Sequence, residues 1–251
     1  MKQYLGSIRT GIFLCYTRFM KAVILCAGDG NRLKPATENI PKPLLLVGRP
    51  ILFYIFNSLP DKVDEVFLII QEKHKILFRK FLEDNNIKIK VNILFQDKEK
   101  KGTYFALITA KDYLAKEDAF LVLNGDDIFL KEDLENLVKS CVPVYGLGYK
   151  KMNKRYRTCD LDLEKKRILS FRMQTDQEIE KEMPCFSGAF VLIKDFFDYK
   201  PVYTEGEAGI PHTLFGSGAK VYYVLLRKWF QINTPEDFSI AQKDLAGGKI
   251  D

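Results

Sequence analysis

Apolar positions along the chain fall into two kinds of run. Short continuous runs at 23–26, 65–70 and 120–123 read as buried β-strands, and 90–95 reads as a strand of β-branched character. Between them lie segments with apolar residues at helical spacing. Residues 51–59 follow the turn at Gly48, 74–84 carry apolar side chains at 77, 78, 81 and 82, and 103–114 carry them at 104, 107, 108 and 114. Strands that are apolar throughout, rather than alternating, are buried on both faces. The pattern predicts an α/β fold: a single Rossmann-like domain with a mostly parallel mixed sheet and helices on both faces. After residue 140 the pattern changes. Strand-like runs at 144–149, 158–163, 167–172, 187–193 and 220–226 follow with few helices between them, which predicts antiparallel pieces continuing the sheet. No internal repeat or low-complexity linker divides the chain. One domain over 20–245 is expected, with 1–19 as an N-terminal extension and 246–251 as a tail.

Composition narrows the picture. The 251 residues are 47% hydrophobic, enough for one well-packed core. Charged residues make up 29% and the net charge of +6 is diffuse. The densest basic run, 98–101, includes Glu99 and reads as a solvated turn, so no nucleic-acid partner is expected. The run Lys154, Arg155, Tyr156, Arg157 likewise reads as a solvated loop, with an acceptor-phosphate grip as the other reading. The five cysteines have no CxxC pair, which suggests a reducing cytoplasm rather than a zinc or redox site. The two histidines exclude a multi-histidine metal site, and His74, among charges, reads as a surface residue. No apolar run approaches the ~18 residues of a membrane span, so no membrane partner is expected. The apolar block 11–16, flanked by Lys2, Arg9 and Arg18, is too short for a signal-peptide core.

The chemistry concentrates in residues 25–45. A strand runs into Gly28-Asp29-Gly30, then Arg32, then Pro41-Lys42-Pro43. Glycines remove side chains where a phosphate chain must meet backbone N–H groups. Arg32 offers a planar fork for phosphate oxygens. Two prolines stiffen the chain around Lys42, so its ammonium is held in place. A Walker loop is excluded because Asn31-Arg32 stands where Gly-Lys-Ser/Thr is required. A dinucleotide fingerprint is excluded because Leu33 stands at its third glycine.

This stretch resembles the signature of the sugar-1-phosphate nucleotidyltransferases, roughly LAAGxGTRLxPxTxxxPKPLL. Ala27, Gly28, Gly30, Arg32, Leu33, Pro35, Thr37, Pro41, Lys42 and Pro43 match, and Asn31 replaces the usual Thr or Ser. Further segments resemble the same family. Phe95-Gln96 with Gly102-Thr103 looks like its base-recognition segment, 121–127 like its strand ending in a magnesium-binding aspartate, and 228–237 like its closing motif. The resemblance implies that Leu25, Ala27, Gly28, Gly30, Gln96, Gly102 and Thr103 bind the nucleotide. Arg32, Lys42 and Asp126 are then catalytic, and Asp126 holds Mg²⁺ with help from Gln231. Asp127, the next residue in an extended chain, should point away from that site.

Three departures touch the acceptor side. Gln231 stands where the family usually has a second metal-binding Asp. Arg172-Met173-Gln174 replaces the usual Glu-Lys-Pro, and Ser187 replaces an Asn. Arg172, Ser187 and Gly188 are the acceptor residues the resemblance implies. The sequence therefore reads as a nucleotidyltransferase joining a nucleoside triphosphate and a sugar-1-phosphate. Two alternatives are a cytidylyltransferase-like enzyme with a non-sugar phosphorylated acceptor and a non-catalytic nucleotide-binding regulatory homologue. A homo-oligomer is compatible with all three readings.

Overall fold

The structure, a computed structural model, describes residues 19–154 and 156–246; the extension before Phe19, the tail beyond Ala246 and Arg155 lie outside the described residues. β1 (Met20–Leu25) is followed, after a loop, by a hairpin of β2 (Leu46–Val47) and β3 (Arg49–Pro50). Then come α1 (Ile51–Asn57), β4 (Val63–Ile70), α2 (Lys75–Asp84), β5 (Lys90–Phe95), α3 (Thr103–Ile108), α4 (Lys111–Leu114) and β6 (Ala119–Asn124). The second half holds β7 (Asp127–Phe129), α5 (Lys131–Val138), β8 (Val144–Lys151), β9 (Arg157–Thr158), β10 (Leu161–Asp162), β11 (Arg167–Ile168) and β12 (Arg172–Met173). It ends with β13 (Glu182–Ile193), β14 (Tyr203–Thr204), β15 (Glu207–Ala208), α6 (Ile210–Gly216), β16 (Val221–Leu225), β17 (Trp229–Gln231) and α7 (Pro235–Ala246).

The main sheet runs β10-β11-β16-β8-β13-β6-β1-β4-β5, with β9 and β12 attached beside β13. β6, β1, β4 and β5 are mutually parallel, as are β8 and β16; β13 is antiparallel to both β6 and β8. The alternation along each strand decides which layer receives each side chain. On β1, Ala22 and Ile24 enter one core layer while Val23 and Leu25 enter the other. α1, α2, α5 and α7 cover the first layer through Leu52, Ile55, Phe78, Phe81, Leu134, Leu137 and Ala241. α3, α4 and α6 cover the second through Leu107, Leu114, Ile210 and Leu214. This is the two-faced mixed sheet that the apolar runs predict. Among the described residues no helix is long and apolar enough to cross a membrane.

Several elements differ from the sequence expectation. The helix expected over 103–114 is two, because the chain turns at Thr109-Ala110, where the Thr109 hydroxyl donates back to Phe105 O at 3.1 Å. The expected strands 158–163 and 167–172 are each two short pieces, since the chain crosses from β13 and β12 to the β16 edge. α5 and α6 add helices to the second half. The short pair β7 and β17 has only three residues per strand, too few to show a periodicity. His74 is half-buried rather than fully exposed.

Candidate active site

Parallel strands deliver their C-terminal ends to one edge, which is where open α/β sheets bind ligands. In this sheet Leu25 of β1 pairs with Ile69 of β4 and Asn124 of β6. The chains leaving β1, β4, β5 and β6 are tied together by backbone bonds, Cys26 N to Ile69 O at 2.8 Å, Gln96 N to Ile70 O at 3.0 Å and Gly125 N to Leu25 O at 2.9 Å.

Above this edge lies a cleft of about 750 Å³. Its wall includes Leu25, Ala27, Gly28, Gly30, Arg32, Lys42, Gln96, Gly102, Thr103, Asp126 and Gln231, so residues separated by 206 positions in sequence (25 to 231) share one space. A Cβ on Gly28 would meet nothing within 4 Å. The packing of the fold does not require glycine there. Gly102 is different. Its φ is +102°, and a Cβ would press on the backbone of Ala208. Gln96 donates to Lys100 O at 2.6 Å, which ties its amide to its own loop. Thr103 Oγ1 accepts from Ile210 N at 3.0 Å, joining α3 to α6.

Lys42 is almost fully buried, in the 3₁₀ turn Lys42–Leu44 behind Pro41. A buried ammonium needs an anion, and Lys42 Nζ donates to Asp126 Oδ2. It also donates to Asn233 Oδ1 at 3.0 Å, and Arg32 Nη2 donates to the same oxygen at 3.0 Å. One amide oxygen thus holds Arg32 and Lys42 at fixed positions. Asn233 is in turn fixed by Asp237, whose Oδ2 accepts from Asn233 N and Thr234 N, both at 2.9 Å. Sequence reading did not single out Asn233, although it lies in the closing motif. Gln71 was also missed and carries no motif signal; it donates to Ala27 O at 2.7 Å and Asp29 Oδ1 at 2.8 Å, bracing the glycine loop.

Asp127 points away from the cleft, as the extended backbone predicts. It is fully buried, and burial, then the Asp126 charge, push its carboxyl well above the usual carboxylate range. Gly188 makes room for it, since a Cβ there would collide with Asp127 Oδ2 and sit 2.6 Å from Asn124 Cβ. Burial and Asp126 likewise raise the Cys26 thiol, so it remains protonated and unreactive.

A second cleft of about 710 Å³ adjoins the first and shares Arg32, Thr103, Asn124, Gln231 and Asn233 with it. Ser187 lines it at a bulge of β13, between Phe186 and Phe190. Gly188 and Arg172 do not line it. Arg172 makes two-pronged bonds to Asp160 (2.9 and 3.2 Å) and Glu178 (2.9 and 2.9 Å), so its fork is already occupied. Tyr156 and Arg157, expected in a solvated loop, line this cleft instead, because β9 pairs with β13 and carries Arg157 inward.

Comparison with known proteins agrees with this architecture. Residues 21–144 match the nucleotidyl transferase family. The chain is 34% identical over 187 residues to D-glycero-alpha-D-manno-heptose 1-phosphate guanylyltransferase of Campylobacter jejuni, covering 71% of this chain and 78% of that protein. It is 46% identical over 121 residues to the bifunctional protein GlmU of Methanocaldococcus jannaschii, covering 48% of this chain and 28% of that protein. The chain spans less than half the length of the GlmU relatives it matches. The solved inositol-1-phosphate CTP transferase from T. maritima shares the fold, with a TM-score of 0.73 at 18% identity over 90% of this chain and 96% of that one.

Proposed function

The chain belongs to the nucleotidyl transferase family, and from that premise we propose that it joins a nucleoside triphosphate to a sugar-1-phosphate, giving a nucleotide sugar and pyrophosphate. The observation that carries this reading is the shared wall of the two clefts. There one Asn233 oxygen holds Arg32, which lines both clefts, and Lys42, which is also bonded to Asp126 on the first-cleft side.

The triphosphate lies in the first cleft. Gly28 leaves its chain room, the loop N–H groups and Arg32 meet the β- and γ-phosphates, and Gln96 and Gly102 face the base. The acceptor's phosphate oxygen, already ionised at neutral pH, attacks the α-phosphorus. The bond to the bridging oxygen breaks, and pyrophosphate leaves with that electron pair. No base is required, so the residues act by alignment and by meeting charge as it develops. Lys42, fixed by Asp126 and Asn233, stands where the α-phosphate and the incoming oxygen converge.

The residues fit Mg²⁺. Asp126 turns its carboxylate to the first cleft, and Gln231 keeps a buried Oε1 with no partner, close by through the bond from Ile232 N to Asp126 O at 3.2 Å. Among the described residues no cluster of three His, Cys, Asp or Glu stands ready for a metal. Phosphate oxygens and water complete such a site, the usual arrangement for this ion. Held by Asp126 and Gln231, Mg²⁺ would offset charge gathering on the departing pyrophosphate. The reading sets the enzyme in the cytoplasm, which suits its free cysteines Cys26, Cys141, Cys159 and Cys185.

A second reading, a non-sugar phosphorylated acceptor, is favoured by one observation: Arg172, the cation expected on the sugar side, is consumed by Asp160 and Glu178. Pyrophosphate release decides between the two. The protein with Mg²⁺ is tested against a panel of triphosphates and acceptors that includes sugar-1-phosphates, inositol 1-phosphate and phosphocholine. Release with a sugar-1-phosphate is expected. Release with the non-sugar acceptors alone favours the second reading, and nucleotide binding without any release marks a regulatory protein.

A further inference from the structure

The second cleft contains an arginine with no anion. Arg167, Arg172 and Arg227 each hold at least one carboxylate. Arg157, half-buried at the start of β9, holds none among the described residues. Its guanidinium lies 5.3 Å from the centre of the Phe171 ring. Phe171 is itself fixed, stacked on Phe215 at 5.3 Å and 6° and edge-on to Phe186 at 4.8 Å. An arginine stacked on a fixed ring presents its fork with little rotamer freedom left to lose, and it cannot shed its charge.

His212 completes the arrangement. Its ring meets Phe171 edge-on at 4.9 Å, and its Nε2 is buried without a hydrogen-bond partner. Burial, then the charge of Arg157, lower its pKa, so the imidazole is neutral at physiological pH. Both groups line the second cleft. The carboxylates that share it belong to the first turn of α7, next to Asn233. Asp237 is taken up by the backbone N–H groups of Asn233 and Thr234, and Glu236 has a partner of its own.

The phosphate that attacks must lie at the shared wall, within reach of Lys42 and Asp126, which line only the first cleft. Arg157 and His212 line only the second. We propose that the acceptor carries a second anionic group, a carboxylate or another phosphate, and that Arg157 and His212 receive it. The inference rests on reading the second cleft as the acceptor site.

Isothermal titration of the full chain with α-D-glucose 1-phosphate, α-D-glucose 1,6-bisphosphate and α-D-glucuronic acid 1-phosphate tests it. These share a sugar and differ in the second anion. The two doubly anionic compounds are expected to bind about tenfold more tightly than the monophosphate, the scale of one charge-assisted bond. Arg157→Gln should erase that preference while leaving the monophosphate unchanged, and Arg157→Lys should restore part of it. Equal affinities in the parent, a preference that survives Arg157→Gln, equal weakening of all three compounds, or no binding by any of them overturns the inference. Pyrophosphate release with the 1-phosphates of uncharged sugars and no effect of Arg157→Gln overturns it while leaving nucleotidyl transfer standing. A preference lost in Arg157→Gln, in a protein that never releases pyrophosphate, supports the site and breaks the transfer reading instead.

Discussion

The two clefts are built in contrasting ways. Most of the first cleft's chemistry comes from consecutive residues, the loop between β1 and β2, and Arg32 and Lys42 are held by a single oxygen from the closing segment. The second cleft is assembled from β9, the bulge of β13, Phe171, α6 and the start of α7, none adjacent in sequence. A phosphate chain is the same in every triphosphate, so a short loop of fixed geometry suffices. An acceptor of particular shape needs side chains from several directions. Variants that separate the two halves show how far the contrast holds.

The largest effect is expected at the shared wall. Lys42→Ala removes the buried cation and should lower kcat by about a thousandfold, the scale of losing one preorganised charge contact. A loss under about tenfold would mean that Lys42 does not meet the charge developing at the reacting phosphate. Asn233→Ala leaves both cations in place but frees them, and a fall of about tenfold in kcat is expected, with Asn233→Asp recovering most of it.

Two glycines separate room for ligand from room for the fold. Gly188→Ala drives a methyl into Asp127 and Asn124, and a loss of about 2–4 kcal/mol is expected, read as a lower melting temperature. Gly28→Ala meets no protein atom. It should melt like the parent yet raise the KM for the triphosphate about tenfold. If Gly28→Ala melts early, the open space above the loop belongs to the fold and not to a ligand.

The smallest effect concerns Arg172. Hydrogen bonds from Arg172 hold the carboxyls of both Asp160 and Glu178 at about 2, below their ordinary values. A carboxyl depressed in this way adds stability above its ordinary pKa and loses it as the pH falls toward the folded value. The parent should therefore lose melting temperature more steeply than Arg172→Ala between about pH 4 and pH 2. Because Arg172 faces these partners and not the cleft, the acceptor KM of Arg172→Ala at neutral pH should stay within about twofold of the parent.

Legibility in the sequence followed the same divide. Apolar runs marked β1, β6 and most of β4, because strands buried on both faces must be apolar, while the edge strand β5, only partly buried, showed through its β-branched residues. The motif around Arg32 and Lys42 was legible because its residues are consecutive. Asn233 was hidden: its role depends on α7 returning beside the loop, and an Asn before a helix reads equally well as a turn residue. β7 and β17 were too short to show a period, yet they pair Gln231, which lines both clefts, with the buried Asp127. Arg172 and Arg157 misled in opposite directions, since both are basic residues on short strands and only their neighbours separate them.

By itself, then, the sequence determined the layered sheet and the glycine- and proline-framed loop of Arg32 and Lys42, because both arise from local pattern: alternation of burial and a run of residues whose backbone is fixed by glycine and proline. The tertiary structure decided which cations are free. Arg172 is taken up by Asp160 and Glu178 while Arg157 meets no carboxylate among the described residues, and that difference depends on which distant residues the fold brings alongside.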